Sequence, residues 1–435
     1  RYVSVTGRFW KRKMVHDPKI KKIELGNGIR IIAHRMPHVR SVSMGVWANV
    51  GARDEAASEN GLAHMIEHMI FKGTASRTAF EIARQFDAIG GQTNAFTSME
   101  TTCFHARVLD QHSDVMVDML SDIFLNSLFD AEEVEKERPV ILQEIGMVED
   151  SPEEFVHMVL GETFWADHPL GRSILGSRDS VQGFDAEAIR NFFHQRYRPE
   201  RILIAAAGNL DPERFVEQVA PAFQNIPSTG DFPDRLRASS QSCVRVVPKD
   251  LEQVHICVAG PGVSFTDPQR YAFMLLSTLL GGNMSSRLFQ EIRERRGLAY
   301  SVYSFAHSFE DAGMLGAYAA VGPGDVREAL EVILAETEKL KLKPVEPAEL
   351  ADAKEYLKAG MILASESSDN EMVRLAQNEI HFQRHVYLEE VLENLDAVTA
   401  DDLRKLAQDV FRPGQTALTL LGPVPEGFEF ETLLN

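Results

Sequence analysis

His64, Glu67 and His68 stand in the order H-x-x-E-H, inside the mostly apolar run Gly61-Leu62-Ala63-His64-Met65-Ile66-Glu67-His68-Met69-Ile70-Phe71. On a helix, positions i and i+4 lie about 40° apart and position i+3 about 60° to the other side, so the three side chains can face one site. Two imidazoles suit Zn²⁺, and a carboxylate beside them can act on a water that the metal activates. The other reading is a polar helix face with satisfied histidines. The apolar neighbours speak against it, because ionisable groups inside such a helix are costly unless paired or metal-bound. The chemistry this spacing points to is metal-assisted hydrolysis.

A catalytic zinc ion usually takes three protein ligands and keeps a position for water. Candidates for the third lie in Glu132-Glu133-Val134-Glu135-Lys136-Glu137-Arg138-Pro139-Val140-Ile141-Leu142-Gln143-Glu144. Glu137 and Glu144 fall two turns apart on one helical face. Spacing alone leaves either of them open as the ligand, and leaves a solvated acidic helix equally open. Pro139, which lacks a backbone donor, should kink or start the helix there.

These residues need a scaffold, and the chain carries its pattern twice. Phe192-Phe193-His194-Gln195-Arg196-Tyr197-Arg198-Pro199 with the apolar run to Gly208 resembles Leu406-Ala407-Gln408-Asp409-Val410-Phe411-Arg412-Pro413 with the run to Gly422. Each copy reads as a helix, an Arg-Pro turn and a buried strand ending in glycine. Phe129-Asp130-Ala131-Glu132 matches Val345-Glu346-Pro347-Ala348 at nearly the same offset, and both read as helix starts with an acidic cap. Strand-like alternation opens each half, at Ile29–Ala33 and Val42–Val50 in the first and at Val244–Val247 and Val254–Val258 in the second. Each half therefore reads as a sheet packed on one face by helices, an α+β or mixed α/β layer. The boundaries expected are an arm over 1–22, a metal-binding domain over 23–224, a Pro/Gly/Ser-rich linker over 225–242 and a homologous domain over 243–435. At the repeat offset His64, Glu67 and His68 fall on Thr278, Gly281 and Gly282, and Glu144 falls on Gly360. The second half keeps the scaffold and lacks the polar set.

Composition narrows the class. A chain of 435 residues is too long for one ordinary core. No apolar run approaches the length of a transmembrane helix. The basic stretch Arg1–Lys13 has no apolar signal core and reads as a transit remnant or an arm, with Met14 open as a start. Cys103, Cys243 and Cys257 are odd in number and far apart, and read as reduced thiols of a cytosol-like compartment. A formal net charge of -19 argues against nucleic acid as a partner. Where acid surrounds the site it would attract basic peptides; spread over the surface it serves solubility.

With H-x-x-E-H followed by E-x6-E, the chain resembles the pitrilysin (inverzincin) metallopeptidases. Gly90-Gly91-Gln92-Thr93-Asn94-Ala95-Phe96-Thr97-Ser98-Met99-Glu100-Thr101-Thr102 is similar to that family's substrate-strand segment, and His168-Pro169-Leu170-Gly171 to its H-P-x-G turn. Arg293 and Tyr300 resemble its R-x6-Y element. The length matches the mitochondrial-processing-peptidase branch and its bacterial relatives, and the likeness runs from about Ile23 to about Val424. The resemblance implies two homologous domains with mainly antiparallel sheets, pairing into a clamshell dimer. It implies one zinc ion per chain on His64, His68 and Glu144, with Glu67 as general base and Glu137 in support. It implies substrate binding by Asn94, Ala95 and Phe96 as an edge strand, and by Arg293 and Tyr300 across a homodimer. The function expected is a zinc metalloendopeptidase acting on extended peptides, unfolded segments or targeting segments in an enclosed chamber. The location expected is the cytoplasm of a bacterial cell, with the mitochondrial matrix as the alternative. Rival readings are a catalytic subunit that needs a different partner chain, and a non-catalytic scaffold.

Three further features are set aside. His381 and His385 share the i,i+4 spacing but have Arg384 beside them and no carboxylate between, and read as a surface helix. His34 and His38 flank Pro37 after a strand, so they do not share a helix face. Gly281-Gly282-Asn283-Met284-Ser285-Ser286 reads as a helix-capping turn or a substrate-touching loop.

Overall fold

The computed structural model describes residues 19–228 and 232–425. The basic stretch Arg1–Lys13 and Met14 lie outside the described residues. Strands β1 (Ile20–Glu24), β2 (Arg30–Arg35), β3 (Ser41–Ala48), β4 (Gln92–Thr97), β5 (Thr102–Leu109) and β6 (Ile202–Gly208) form one sheet in the order β1-β2-β6-β3-β5-β4. Strands β7 (Val244–Val247), β8 (Val254–Gly262), β9 (Ala299–Ser308), β10 (Gly313–Val321) and β11 (Ala417–Leu421) form the other, in the order β7-β11-β8-β10-β9. Among the described residues only β2–β6 and β7–β11 pair in parallel. Apart from β1 the two sheets have one topology, so the duplication read from the sequence is a duplication of fold. β1 begins at Ile20, and the end of the expected arm is already sheet.

The Arg-Pro turn recurs as expected. Helix Ala186–Arg196 leads through Arg198-Pro199 into β6, and helix Ala400–Val410 leads through Arg412-Pro413 into β11. The closing glycines are required by geometry. Gly208 has φ 141 and Gly422 φ 127, and a Cβ there would lie 2.2 Å from Ser41 O and 2.5 Å from Gln253 O. Only glycine lets the neighbouring strand pass that close.

The sheets are covered on both faces, not one. β6 (Ile-Leu-Ile-Ala-Ala-Ala-Gly) is apolar at every position, as a strand buried on both sides must be. Its half supplies helices for one face only, with Ile202, Ile204 and Ala206 in that core. The other face, with Ile32, Trp47, Leu203, Ala205 and Ala207, packs on Met372, Leu375 and Ala376 of helix Ser368–Phe382, which belongs to the second half of the chain. The exchange is mutual. Helix Pro152–Phe164 of the first half lays Val156, Leu160 and Phe164 on Cys257, Ala259, Tyr318 and Leu421 of the second sheet. Polar positions on the first exchanged helix are paired: Glu371 meets His34 at 2.7 Å, Glu379 meets Arg30 at 3.0 Å, and Ser368 meets Ser43 at 2.8 Å. The halves are separable in sequence and interlocked in space.

The described part of the linker is likewise pinned. Arg235, with a side chain 8% exposed, bonds Asp54 at 2.7 Å and Glu310 at 2.8 Å, joining the linker to both halves. Arg53 donates to Glu100 at 2.6 Å, to Asp311 at 2.7 Å and to the Leu236 carbonyl at 2.5 Å. Buried charges persist only when paired this fully.

Leu375→Ala removes a fully buried side chain from the exchanged helix. Unfolding free energy measured in urea should fall by about 2–5 kcal/mol. Amide exchange should quicken in β2, β3 and β6, far away in sequence; protection lost only in the second half would contradict the exchange.

Candidate metal centre

Helix Leu62–Met69 is too short to hold itself together in water. It is held by burial: Leu62, Ala63, Met65, Ile66 and Met69 all enter the first core. The remaining positions present His64, Glu67 and His68. The helix starts after Gly61, whose φ of 101 leaves no side chain to cap it. The cap comes from upstream. Glu55, 4% exposed, accepts from Gly61 N at 2.9 Å, Ala63 N at 2.8 Å and Asn60 Nδ2 at 3.1 Å. Burial pushes its carboxyl up to about 7 against the pull of those donors.

Glu137 and Glu144 lie on helix Ala131–Asp150, capped by Asp130 through Glu132 N and Glu133 N. Pro139 sits inside this helix and neither starts nor ends it. Val134, Glu137, Ile141 and Ile145 form one buried stripe on both sides of the proline, and that burial holds the helix across the missing bond. The matching helix Pro347–Ala364 begins where expected, though Glu346 makes no side-chain cap.

Glu144 Oε2 lies 3.5 Å from His64 Nε2 and 3.4 Å from His68 Nε2. Ligands about 2.1 Å from an ion at the centre of a tetrahedron stand roughly 3.4 Å apart, so these separations are edges of a zinc-sized site. Burial, helped by neighbouring His68, pushes His64 down to about 3, so the imidazole is neutral and has no proton to lose on binding a cation. The other nitrogen of His68 is taken: Nδ1 donates to Glu137 Oε1 at 2.9 Å, which leaves the Nε2 lone pair toward Glu144. Lys72 Nζ holds the second Glu137 oxygen at 2.5 Å. Burial raises the Glu137 carboxyl, but its bonds to Lys72 and His68 outweigh that and leave it below the usual range. The residues present fit zinc. Among the described residues, His64, His68 and Glu144 are the one group of His, Cys, Asp and Glu with this convergence.

Glu67 shares the cleft but is not in that set. Burial raises its carboxyl, which Thr97 and His68 pull back only in part. A carboxylate with a raised pKa is a stronger base. The cleft, of about 450 Å³, is walled by Phe96, Met99, Val148, His157, Met158 and the 170–175 loop. His168-Pro169-Leu170-Gly171 forms a short 3₁₀ turn in which His168 Nδ1 accepts from Leu170 N. Asn94, Ala95 and Phe96 lie on β4, the edge of the sheet, and no strand among the described residues pairs with its outer side. Phe96 packs edge-on against Trp47, and Asn94 is exposed.

Arg293 and Tyr300 are together but elsewhere. Arg293 lies in the π-helical turn Phe289–Arg295, stands 4.4 Å over the Tyr300 ring and donates to the Tyr300 carbonyl at 3.1 Å. Tyr300 is 80% exposed. Neither lines the metal cleft of its own chain. At the equivalent place in the second half, Thr278 and Gly281 end helix Arg270–Gly281, Gly282 follows, and Gly360 has no ligand atom to offer. Gly282 N donates to the Thr278 carbonyl at the helix end, and Asn283 Oδ1 accepts from Ser285 N, so Gly281–Ser286 is a turn. The second histidine pair is not on a surface helix: the helix ends at Phe382, Gln383 turns left-handed, and His381 stacks on Phe265 at 3.9 Å. Glu55, Lys72 and the ion network escaped the sequence reading. Lys72 and the network act between segments far apart in sequence, and Glu55 caps a helix that starts several residues later without a capping motif.

Comparison with known proteins decides the family. Residues 30–178 match the model of Insulinase (Peptidase family M16), and residues 183–357 match that of the Peptidase M16 inactive domain. The uncharacterized zinc protease YmxG of Bacillus subtilis is 38% identical over 93% of this chain and 98% of its own. An uncharacterized zinc protease of Rickettsia felis is 34% identical over 92% and 97%. The chain belongs to peptidase family M16. With that membership and relatives that are named zinc proteases, it is a zinc metalloprotease. A protease from Helicobacter pylori shares the fold with a TM-score of 0.88 at 23% identity, covering 93% of this chain and 100% of that one. A peptidase M16 inactive domain from Pseudomonas fluorescens does so with 0.85 at 19%, covering 93% and 98%. Among the described residues no helix is long and apolar enough to cross a membrane.

Glu137→Gln keeps the shape but removes the charge that orients His68. Zinc affinity, read by competition with a chromogenic chelator, should weaken about 10- to 100-fold. Unchanged affinity would remove Glu137 from the support of the site.

Proposed function

We propose that the protein is an endopeptidase that cuts extended peptides, unfolded segments or targeting segments, and binds one zinc ion per chain. The observation that carries this is Glu144 Oε2 within 3.5 Å of both histidine Nε2 atoms. His64, His68 and Glu144 hold the ion, which supplies Lewis acidity toward a water and a peptide carbonyl. Glu67 takes a proton from the attacking water and returns it to the leaving amine. Glu137 and Lys72 keep the His68 ring in register. The exposed outer edge of β4 at Asn94, Ala95 and Phe96 accepts the substrate as an added strand, which aligns backbone without reading sequence. Exposed Asp150, Glu153 and Glu154 beyond Glu144, and the net charge of -19, favour basic segments.

In this reading residues 23–224 carry the metal chemistry, 225–242 join the halves, and 243–435 carry Arg293 and Tyr300. Those two lie outside the cleft of their own chain, which favours a second chain presenting them. We take that chain to be another copy, closing a clamshell chamber in which Tyr300 donates to the developing oxyanion and Arg293 holds a carbonyl. Relatives in bacteria favour a bacterial source, and we place the protein in the cytoplasm there, with the mitochondrial matrix as the alternative. A different partner chain is the rival, favoured by the same displacement of Arg293 and Tyr300.

Glu67→Gln should retain about one zinc per chain and lose peptide cleavage, because the ligands are untouched and the base is gone. Cleavage equal to wild type would end the proposed role of Glu67. Mixing Glu67→Gln with Tyr300→Ala, each inactive alone, should restore roughly a quarter of wild-type activity, since half the dimers are mixed and each has one intact composite site. No recovery on mixing, with exchange of subunits verified, would rule out the shared chamber.

A further inference from the structure

The segment Arg53-Asp54-Glu55 ties the metal helix to the other half of the chain. Glu55 is a hub. Its carboxylate holds Gly61 N, Ala63 N and Asn60, and its carbonyl accepts from Arg172 Nη1 at 2.8 Å. Arg172 stands in the wall of the cleft. Asn60 in turn donates to the Ser173 carbonyl at 2.9 Å, on the same wall. Ala63 directly precedes His64, so the position of Glu55 fixes where the first metal ligand begins its turn of helix. The two residues before Glu55 face the other way. Arg53 grips Asp311, in the turn between β9 and β10 of the second half, and Asp54 receives Arg235 of the linker. Glu100, between β4 and β5, accepts from both Arg53 and the backbone of Glu310.

We propose that Glu55 is a positioning residue for the metal site. It sets the first turn of the metal helix, and through Arg53 it does so in step with the second half. A shift of the β9–β10 turn against the first half pulls on Arg53 and reaches His64 through a buried carboxylate and the two backbone N–H groups it holds. This rests on the reading of His64, His68 and Glu144 as zinc ligands. The arrangement differs from ordinary helix capping in one respect: the capping residue stands two positions after an arginine that is paired with the other half.

The test uses the full metal-free chain and measures affinity for Zn²⁺ by chelator competition, with the visible absorption of bound Co²⁺ as a report on ligand geometry. Glu55→Gln keeps the volume but replaces one acceptor oxygen with a donor, which opposes a backbone N–H. It should weaken zinc binding about 10- to 100-fold and alter the Co²⁺ spectrum. A merely structural role would lower thermal stability and leave both readouts as in wild type; that result overturns the positioning role. Asp311→Asn lies in the second half on a part-exposed turn and tests the strut even where Glu55→Gln fails to fold. It should weaken zinc binding several-fold, and unchanged affinity in that variant overturns the coupling. Absence of stoichiometric zinc in wild type would instead sink the metal reading itself.

Discussion

Each sheet of this protein is apolar on both faces, and its own half of the chain supplies helices for only one. That constraint governs the molecule. The uncovered faces of β3 and β6 and of β8 and β11 are satisfied by exchange, with helix Ser368–Phe382 on the first sheet and helix Pro152–Phe164 on the second. Burial of apolar surface drives the exchange, and polar pairs such as Glu371 with His34 fix its register. An exchanged element cannot leave without exposing a sheet face, so each half depends on the other for its cover.

The metal site inherits this constraint. Glu144 lies near the end of helix Ala131–Asp150, and after Ser151 the chain runs directly into the exchanged helix Pro152–Phe164. The helix that carries Glu144 is therefore continued by one anchored in the second half. The Leu62–Met69 helix is anchored by its own apolar side and by Glu55. Two elements with different anchors meet at a distance suited to one small cation. The second half repeats the scaffold with glycines and a threonine at these places, so the fold does not need the polar set of the first half.

Much was legible beforehand because it is local or periodic. The i,i+4 histidines and the Arg-Pro turns before a buried strand are short patterns with a geometric meaning. The parity of the two halves could be read because both copies kept the turn chemistry. Pro139 does not start its helix, because the start is set by the Asp130 cap nine residues earlier and one buried stripe runs past the proline. The histidine pair at 381 and 385 misled because spacing does not reveal where a helix stops.

The sequence by itself determined the histidine pair with Glu67, the helix that carries them, the duplication and the class of chemistry. Helical spacing converts directly into direction, and a repeated turn and strand pattern converts into a repeated scaffold. Only the tertiary structure decided that Glu144 and not Glu137 faces both Nε2 atoms, that Glu55 caps the metal helix, and that each sheet borrows a helix from the other half. These depend on how separate elements pack, and packing is settled by which apolar faces are left to cover once the local structure has formed.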